Sequence, residues 1–270
     1  MRRWTFGVEW VLAAGLIAAC QQPAEPQAQA AAPAPQAPAC ELSVGWDPWE
    51  PYQFEDTGGA MRGLDVEIIS LLADDANCDL RFVRGSWQDL LGQVRSGAVD
   101  ILMAATPTPE RQAFAAFSPP YRQERFELFV RVDDAAAMAD ATLAQLVGDG
   151  RRIGITEGYY YGDSATPLIL GEQTRAQFVA APLVELNYTR LIDGEIDAML
   201  DDPVVAAAIM RRKGWDDRIV SSGLIVNSGD VALMYSRASV DPAVIERLDR
   251  AVEARKADGS LARLLAKYRG

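Results

Sequence analysis

The chain has 270 residues, a formal net charge of −12 and no histidine. The acidic balance argues against nucleic acid and against a broadly anionic membrane surface, because both repel negative charge. The lack of histidine excludes Ser-His-Asp and Cys-His catalysis and the usual zinc sites. Binding of Ca²⁺ or Mg²⁺ by carboxylates alone stays open, but no spacing typical of a calcium loop is present, and we expect neither a metal nor a cofactor. Hydrophobic residues make up 49% of the chain, enough for substantial cores.

The N-terminus is typical of an export signal. Arg2 and Arg3 precede an apolar stretch over residues 11–19, which is too short to span a bilayer comfortably. Small residues lead directly to Cys20, an arrangement that resembles a bacterial lipoprotein signal and implies cleavage before Cys20 with lipid on its sulfur. The alternative is an ordinary secretory signal with an incidental cysteine. We predict a signal peptide over 1–19 and lipidation at Cys20.

A tether follows the signal. Residues 21–38 are almost entirely Gln, Pro and Ala. This composition cannot bury enough apolar surface to fold and behaves as a semi-stiff linker. We therefore predict that residues 20–39 join a lipid anchor to a folded part that starts near residue 40. The expected location is the periplasm, with the membrane reached through the anchor alone.

From residue 40 onward the pattern alternates between strands and helices, which is typical of an α/β fold with parallel sheets. Short apolar runs predict strands, and apolar residues at helical spacing predict helices. The predicted strands cover 42–45, 80–83, 99–105, 126–132, 153–155, 178–180, 196–200, 219–221 and 231–235. The predicted helices cover 63–74, 87–94, a short one starting within 106–111, then 143–147, 159–168, 183–192, 204–212 and a broken pair over 242–268.

Two further cysteines precede two of these strands. Cys40 lies directly before the first strand and Cys78 directly before the second. If the two strands are parallel neighbours, both cysteines lie at the same end, within disulfide reach. An export signal implies an oxidising compartment, which favours the bond. The alternative is two unpaired small core residues.

The segment around Arg111 predicts a site for a small carboxylate. Thr108 suits an N-cap, Pro109 the first helical position and Glu110 the first turn of a short helix. This helix follows a strand that is apolar throughout, and unpaired N–H groups converge where helices begin at the ends of parallel strands. Arg111 adds a partner with the geometry to bind a carboxylate through two hydrogen bonds.

The same region carries a family resemblance. A helix from Trp87, a Gly-x-x-Asp turn at Gly97, the run TPTPER over 106–111 and FSPPY over 117–121 occur in order. Together they resemble the bacterial extracellular solute-binding proteins of family 3, the polar-amino-acid receptors of ABC importers, and the resemblance covers residues 42–270. It implies a type II periplasmic binding protein fold with two lobes, two hinge strands and a ligand cleft between the lobes.

The resemblance also implies how the chain divides. The hinge strands would cross near 128–131 and 232–235, so that lobe 1 comprises 40–129 with 233–270 and lobe 2 comprises 130–232. The implied partners are a small carboxylate, expected to be an amino acid, and the permease of an ABC transporter. The implied oligomeric state is a monomer.

The family's motif assigns roles to residues on both sides of the cleft. Arg111 would bind the ligand carboxylate, with the Thr106 hydroxyl and the Ala104 backbone beside it. Gly158 would bring backbone N–H groups close to the ligand, although Tyr159, Tyr160 and Tyr161 stand where relatives have small hydroxyl residues. Of these we predict Tyr159 and Tyr160 as ligand contacts; the alternative for each tyrosine is packing of a helix. Asp202 would meet the ligand ammonium; alternatively, it merely caps the helix that begins at Pro203.

Three tryptophans are the candidates for the side-chain pocket. Trp49 and Trp87 match positions where the family has aromatic ligand contacts. Trp46 stands where receptors for cationic amino acids have an aspartate. We therefore expect a ligand with an apolar or aromatic group and without a second positive charge.

Two other functions stay open. The family resembles periplasmic cyclohexadienyl dehydratases, in which an acid in the cleft acts on a carboxylate substrate, and here that acid would be a carboxyl such as Glu157. The chain could also be a sensory module that passes ligand occupancy to a separate partner. We predict a binding protein of an importer and not an enzyme.

Overall fold

The computed structural model describes residues 40–268 together with Gly7. The predicted signal peptide, Cys20 and linker lie outside the described residues and stay predictions. Within residues 40–268 the strands are β1 Cys40–Trp46, β2 Phe54–Glu55, β3 Met61–Arg62, β4 Cys78–Arg84, β5 Ile101–Ala105, β6 Ala115–Phe117, β7 Arg122–Arg131, β8 Ile153–Thr156, β9 Phe178–Ala181, β10 Ala198–Asp201 and β11 Ile219–Ser236.

The same stretch holds these helices: α1 Leu64–Ala76, α2 Trp87–Ser96, α3 Pro109–Gln112, α4 Ala135–Met138, α5 Leu143–Gly148, α6 Thr166–Leu170, α7 Val184–Ile192, α8 Pro203–Lys213, α9 Pro242–Ala257 and α10 Ser260–Lys267. Short 3-10 helices cover Val132–Asp134 and Arg175–Gln177. Helix α1 packs against α9 and α10, so the C-terminal helices return to the beginning of the folded part.

The main sheet has the order β4-β1-β5-β11-β7-β10-β8-β9. Strands β4, β1 and β5 are parallel, and so are β10, β8 and β9. We call the part built on β1, β4 and β5 the first lobe and the part built on β8, β9 and β10 the second lobe. The long strands β7 and β11 pair antiparallel between the two sets. This is the predicted two-lobed α/β fold, and the predicted hinge positions fall within β7 and β11; the exact division of residues between the lobes stays a prediction.

The disulfide is confirmed. Cys40 and Cys78 are opposite partners in the parallel ladder of β1 and β4, with their Cα atoms 4.6 Å apart, and their sulfurs are bonded. Parallel pairing places both cysteines at the same end of neighbouring strands, which is the arrangement that the positions of the two residues predicted.

One predicted helix is wrong. Residues 159–165 do not form a helix: the chain turns irregularly after β8, and only 166–168 of the predicted range belong to a helix, α6, which begins at Thr166. Gly158 and Gly162 adopt left-handed backbone conformations, with φ of 76° and 91°, and each interrupts a helical path. The irregular path frees the intervening tyrosines from helical spacing, so each of them points in its own direction.

A buried ion pair fixes α1 to the start of β7. Arg122 donates to both carboxylate oxygens of Asp65 at 2.8 Å, and the Tyr121 hydroxyl donates to Asp65 at 3.0 Å. The Arg122 guanidinium also lies 4.1 Å from the centre of the Tyr52 ring. Both charged side chains are almost fully buried, so each depends on the other to offset its lost hydration.

Candidate functional site

The cleft is nearly filled. A residual cavity of about 20 Å³, roughly the room of one water molecule, lies between the lobes. Residues of the first lobe, of β7 and of the loop after β8 line it: Asp47, Trp49, Gln53, Trp87, Ala104, Thr106, Arg111, Glu124, Phe126, Tyr159 and Tyr160. Most of the ligand residues predicted from the sequence are therefore brought together at one place.

Arg111 is the central cation of this cavity. Its side chain is buried, and Nη1 donates to the carbonyl oxygen of Thr106 at 2.9 Å. Nη2 donates to the carbonyl oxygen of Gly158, also at 2.9 Å, so the guanidinium bridges the two lobes. Burial lowers its pKa. No ion pair to Arg111 forms within residues 40–268, so its charge is available to a ligand carboxylate.

Local structure aims Arg111 into the cleft. Thr108 caps α3 by accepting from the Arg111 backbone N–H at 3.2 Å, and Pro109 begins the helix, as predicted. The helix is a single turn. Ala104, at the end of β5, has φ of 54°, a left-handed conformation that an alanine adopts at a cost. Its N–H donates to the Tyr121 hydroxyl oxygen at 2.8 Å, which holds the strained turn in place.

Two buried carboxyls line the same cavity as Arg111, and neither was predicted from the sequence. Glu124 accepts a hydrogen bond from the Thr106 hydroxyl at 2.9 Å, and burial raises its pKa to about 7. Asp47 accepts from Gln53 Nε2 at 2.7 Å, and burial raises its pKa to about 6. The pKa of each carboxyl therefore lies close to neutral pH. A cation bound beside either carboxyl would favour its charged form.

Gln53 adds an acceptor. Its amide is buried and donates to Asp47, while its Oε1 has no hydrogen-bond partner within the described chain. A buried polar atom without a partner is costly, so this oxygen is suited to a donor group of a ligand. The site therefore combines one guanidinium with several acceptors.

Aromatic rings close the remaining sides. Trp49, Trp87 and Phe126 surround the ring of Tyr159, with centroids 5.9 to 6.1 Å away. The three consecutive tyrosines diverge: Tyr160 donates to Asp163 near the surface, and the buried Tyr161 accepts from the Thr156 N–H. Tyr159 alone of the three contacts both Trp49 and Trp87, whereas Tyr161 packs on Phe126 from the core side, with ring centroids 4.7 Å apart.

Three predicted ligand residues are not part of the cavity lining: Trp46, Asp202 and Gly158, although the Gly158 carbonyl oxygen accepts from Arg111. Trp46 is buried outside this cavity, with the Arg84 guanidinium 5.4 Å from its ring centre. Asp202 caps α8: its Oδ1 accepts from the Val204 N–H at 2.8 Å, which is the role that we had weighed as an alternative. The Asp202 carboxylate is therefore less available to a ligand ammonium, because it already makes these hydrogen bonds.

A larger open depression of about 580 Å³ adjoins the cavity and shares Arg111, Tyr159 and Tyr160 with it. Gly158 lines this depression, and so does Glu157, the acid that we considered for catalysis. Asp47, Gln53 and Glu124 line only the smaller cavity, so that cavity is the candidate site for a small polar ligand.

Within residues 40–268 no group of three or more acidic or cysteine side chains is arranged to hold a metal ion. No helix in that range combines the length and the apolar character needed to cross a bilayer.

The two lobes and the cleft between them define a periplasmic binding protein fold. The chain belongs to the bacterial extracellular solute-binding proteins, family 3, whose profile matches residues 42–270. The probable histidine-binding protein of Neisseria gonorrhoeae is 25% identical over 227 residues, which cover 81% of this chain and 78% of that protein.

Two further likenesses involve sensory proteins. The virulence sensor protein BvgS of Bordetella bronchiseptica is 24% identical over 221 residues, which cover 82% of this chain but only 17% of that longer protein. A solved histidine kinase sensor domain with similarity to periplasmic binding proteins superposes with a TM-score of 0.75 at 19% identity, over 87% of this chain and 97% of that domain. At this identity the superposition shows the fold alone.

Proposed function

We propose that the protein is the ligand-binding component of an ABC importer and that it holds an amino acid in the cleft between its lobes. The observation that carries the proposal is Arg111. Its guanidinium is buried, forms no ion pair within the described chain and is held by two carbonyl oxygens that a carboxylate would outcompete. The histidine-binding name of the gonococcal relative supports an amino acid as ligand.

The acceptors on the opposite side suit the rest of an amino acid. We propose Glu124 as the partner of the ligand ammonium, because it is buried in the cavity lining and shares the Thr106 hydroxyl. Asp202 is the weaker candidate, since its Oδ1 already caps α8 and its Oδ2 accepts from the Arg125 N–H. Asp47 and the free Gln53 Oε1 then favour a ligand side chain that donates hydrogen bonds or carries positive charge. This reverses our expectation of an uncharged ligand, which depended on Trp46 lying in the site.

A calorimetric and thermal-shift panel of amino acids tests the proposal. It should include arginine, lysine and histidine beside phenylalanine, leucine and aromatic acids. For the best ligand, Arg111→Ala should cost about 2–5 kcal/mol of binding free energy, because a buried charge loses its partner. The matched control is Arg95→Ala, since Arg95 lines the neighbouring depression with an exposed side chain and should change binding by less than about 0.5 kcal/mol. Equal losses for both variants would contradict the assignment.

The proposed location is the periplasm, with lipid on Cys20 as the only membrane attachment. Cys20→Ser should move the protein from the membrane fraction to the soluble fraction while leaving its thermal unfolding unchanged, because a Pro, Ala and Gln tether adds no core contacts. A wild-type protein that fractionates wholly as soluble would reject the anchor.

A sensory role is the second candidate, favoured by the match to BvgS and by the kinase sensor domain that shares the fold. In that case the partner would be a signalling protein and not a permease. Affinity capture of the ligand-loaded wild-type protein in its native membrane distinguishes the two, because a permease and a sensor differ in size and composition.

A dehydratase-like enzyme is the third candidate, and its acid would then be Glu124 and not Glu157. Glu157 lines the open depression, whereas Glu124 is a buried carboxyl whose pKa lies near neutrality, which is suited to proton transfer. Incubation of each bound ligand with the protein, followed by proton NMR, separates binding from turnover. Unchanged ligand spectra support the binding protein.

A further inference from the structure

Tyr159 fills the place where a ligand side group would lie. Its ring meets Trp49 and Trp87 edge to face, at centroid distances of 6.1 and 5.9 Å and interplanar angles of 81° and 82°. Phe126 packs on a further side at 6.1 Å. Such edge-to-face contacts are favourable geometries for aromatic pairs. The enclosure is therefore already occupied by a flat ring that the chain itself supplies.

The polar ends of the site are occupied in the same way. The Gly158 carbonyl oxygen accepts from Arg111 Nη2 at 2.9 Å and from Trp87 Nε1 at 3.1 Å. The Tyr159 hydroxyl donates to Asp47 Oδ2 at 2.9 Å. One dipeptide thus supplies an acceptor for the guanidinium, a flat ring and a terminal donor, which are the parts that the site would require of a ligand.

These contacts all cross the cleft. Gly158 and Tyr159 follow β8 of the second lobe, whereas Arg111, Trp87 and Asp47 belong to the first. Gly158 reaches the guanidinium through a left-handed turn, with φ of 76°, and a Cβ there would come within 2.6 Å of the Gln88 side chain. The glycine therefore permits the close approach that closes the cleft.

The geometry points to Tyr159 as an internal ligand: without an external amino acid, Gly158 and Tyr159 close the cleft, and an external ligand binds only by displacing them. The inference rests on the proposed function, since the site is the same. The volume supports displacement. With Tyr159 in place, the cavity that Asp47, Gln53 and Glu124 line keeps only about 20 Å³, which holds a water molecule and not an amino acid. The adjoining depression of about 580 Å³ reaches Arg111 but none of those three acceptors.

The first test uses Tyr159→Gly with p-cresol, the compound that corresponds to the deleted side chain. A vacated aromatic enclosure should bind it, so p-cresol should raise the unfolding temperature of the variant in a saturable manner. The wild type should not respond. Tyr268→Gly is the control, because it deletes a phenol that bonds Glu67 and lines neither the cavity nor the depression, and it should not respond either. A folded Tyr159→Gly that shows no saturable response overturns the inference, and so does an equal response of Tyr268→Gly.

The second test needs no variant. Small-angle X-ray scattering of the ligand-free wild type should give the radius of gyration of the closed molecule. An open form that compacts on addition of an amino acid overturns the inference. Where Tyr159→Gly folds, it should be more expanded than the wild type.

Amino acid affinity gives a third readout. An internal competitor lowers apparent affinity by the fraction of molecules that are open. Tyr159→Gly should therefore bind the amino acid found in the panel about tenfold or more tightly than the wild type does. One outcome separates the two proposals: Tyr159→Gly binds p-cresol, but neither the variant nor the wild type binds any amino acid. That outcome supports the internal ligand and rejects the proposed function. Amino acid binding that is unchanged or weaker in Tyr159→Gly, without p-cresol binding, leaves the proposed function standing and overturns the inference.

Discussion

A shift of one residue decides the chemistry of the pocket. Trp46 is the last residue of β1 and Asp47 follows it, and successive side chains of an extended chain point to opposite sides. Trp46 lies outside the cavity, and Asp47 lines it. The family motif predicted that Trp46 lies in the pocket. In the structure, the end of β1 is oriented so that the Asp47 carboxyl lies there instead.

Glu124 makes folding stability depend on pH between its unfolded and folded pKa values. Burial raises its pKa from 4.5 to about 7, so the folded state retains a proton that the unfolded chain has released. This stabilising contribution is complete below about pH 4.5 and is lost as pH rises through about 7. Asp47, with a pKa raised to about 6, acts in the same direction.

We therefore expect the free energy of unfolding of the wild type to fall between pH 5 and pH 8. Glu124→Gln removes one such proton and should reduce the fall by up to about 3 kcal/mol, since a pKa shift of one unit corresponds to about 1.4 kcal/mol. Chemical denaturation at both pH values measures the difference. An identical fall in the variant would show that Glu124 is ionised in the folded protein.

At the scale of elements, the connection between β8 and α6 is the part that the sequence predicted wrongly. Its apolar residues have helical spacing, but Gly158 and Gly162 take left-handed conformations and break the helix. The resulting irregular path sends Tyr159 into the cleft and Tyr161 into the core. Periodicity alone could not separate these roles, because tertiary contacts decide them.

The pairing of α1 with β7 gives a prediction about stability. Asp65→Ala leaves the buried Arg122 charge and the Tyr121 hydroxyl without their partner, so it should destabilise the protein by about 3–5 kcal/mol. The control is Glu246→Ala, which breaks an exposed pair with Arg250 and should cost less than about 1 kcal/mol. Urea denaturation of both variants makes the comparison. Similar losses of unfolding free energy in the two variants would mean that burial does not increase the cost of removing Asp65.

At the scale of the whole molecule, the disulfide restricts the unfolded chain. Cys40 and Cys78 are 38 residues apart, and closing a loop of that size typically stabilises a protein by about 2–4 kcal/mol. A reductant should lower the unfolding free energy of the wild type by that amount. The double variant Cys40→Ser, Cys78→Ser should be less stable from the start and should not respond to reductant. A wild type that is insensitive to reduction would contradict this account.

The sequence by itself determined the alternation of strands and helices and the α/β class, it favoured the disulfide, and through its family resemblance it implied that Arg111, Thr106, Ala104, Trp49 and Trp87 meet at one cleft. These features depend on local periodicity, on capping residues and on motif spacing, which are written along the chain. Only the tertiary structure decided that Asp47, Gln53 and Glu124 line the same cavity and that Tyr159 occupies the pocket. Those outcomes depend on burial and on contacts between segments far apart in sequence, which no local pattern encodes.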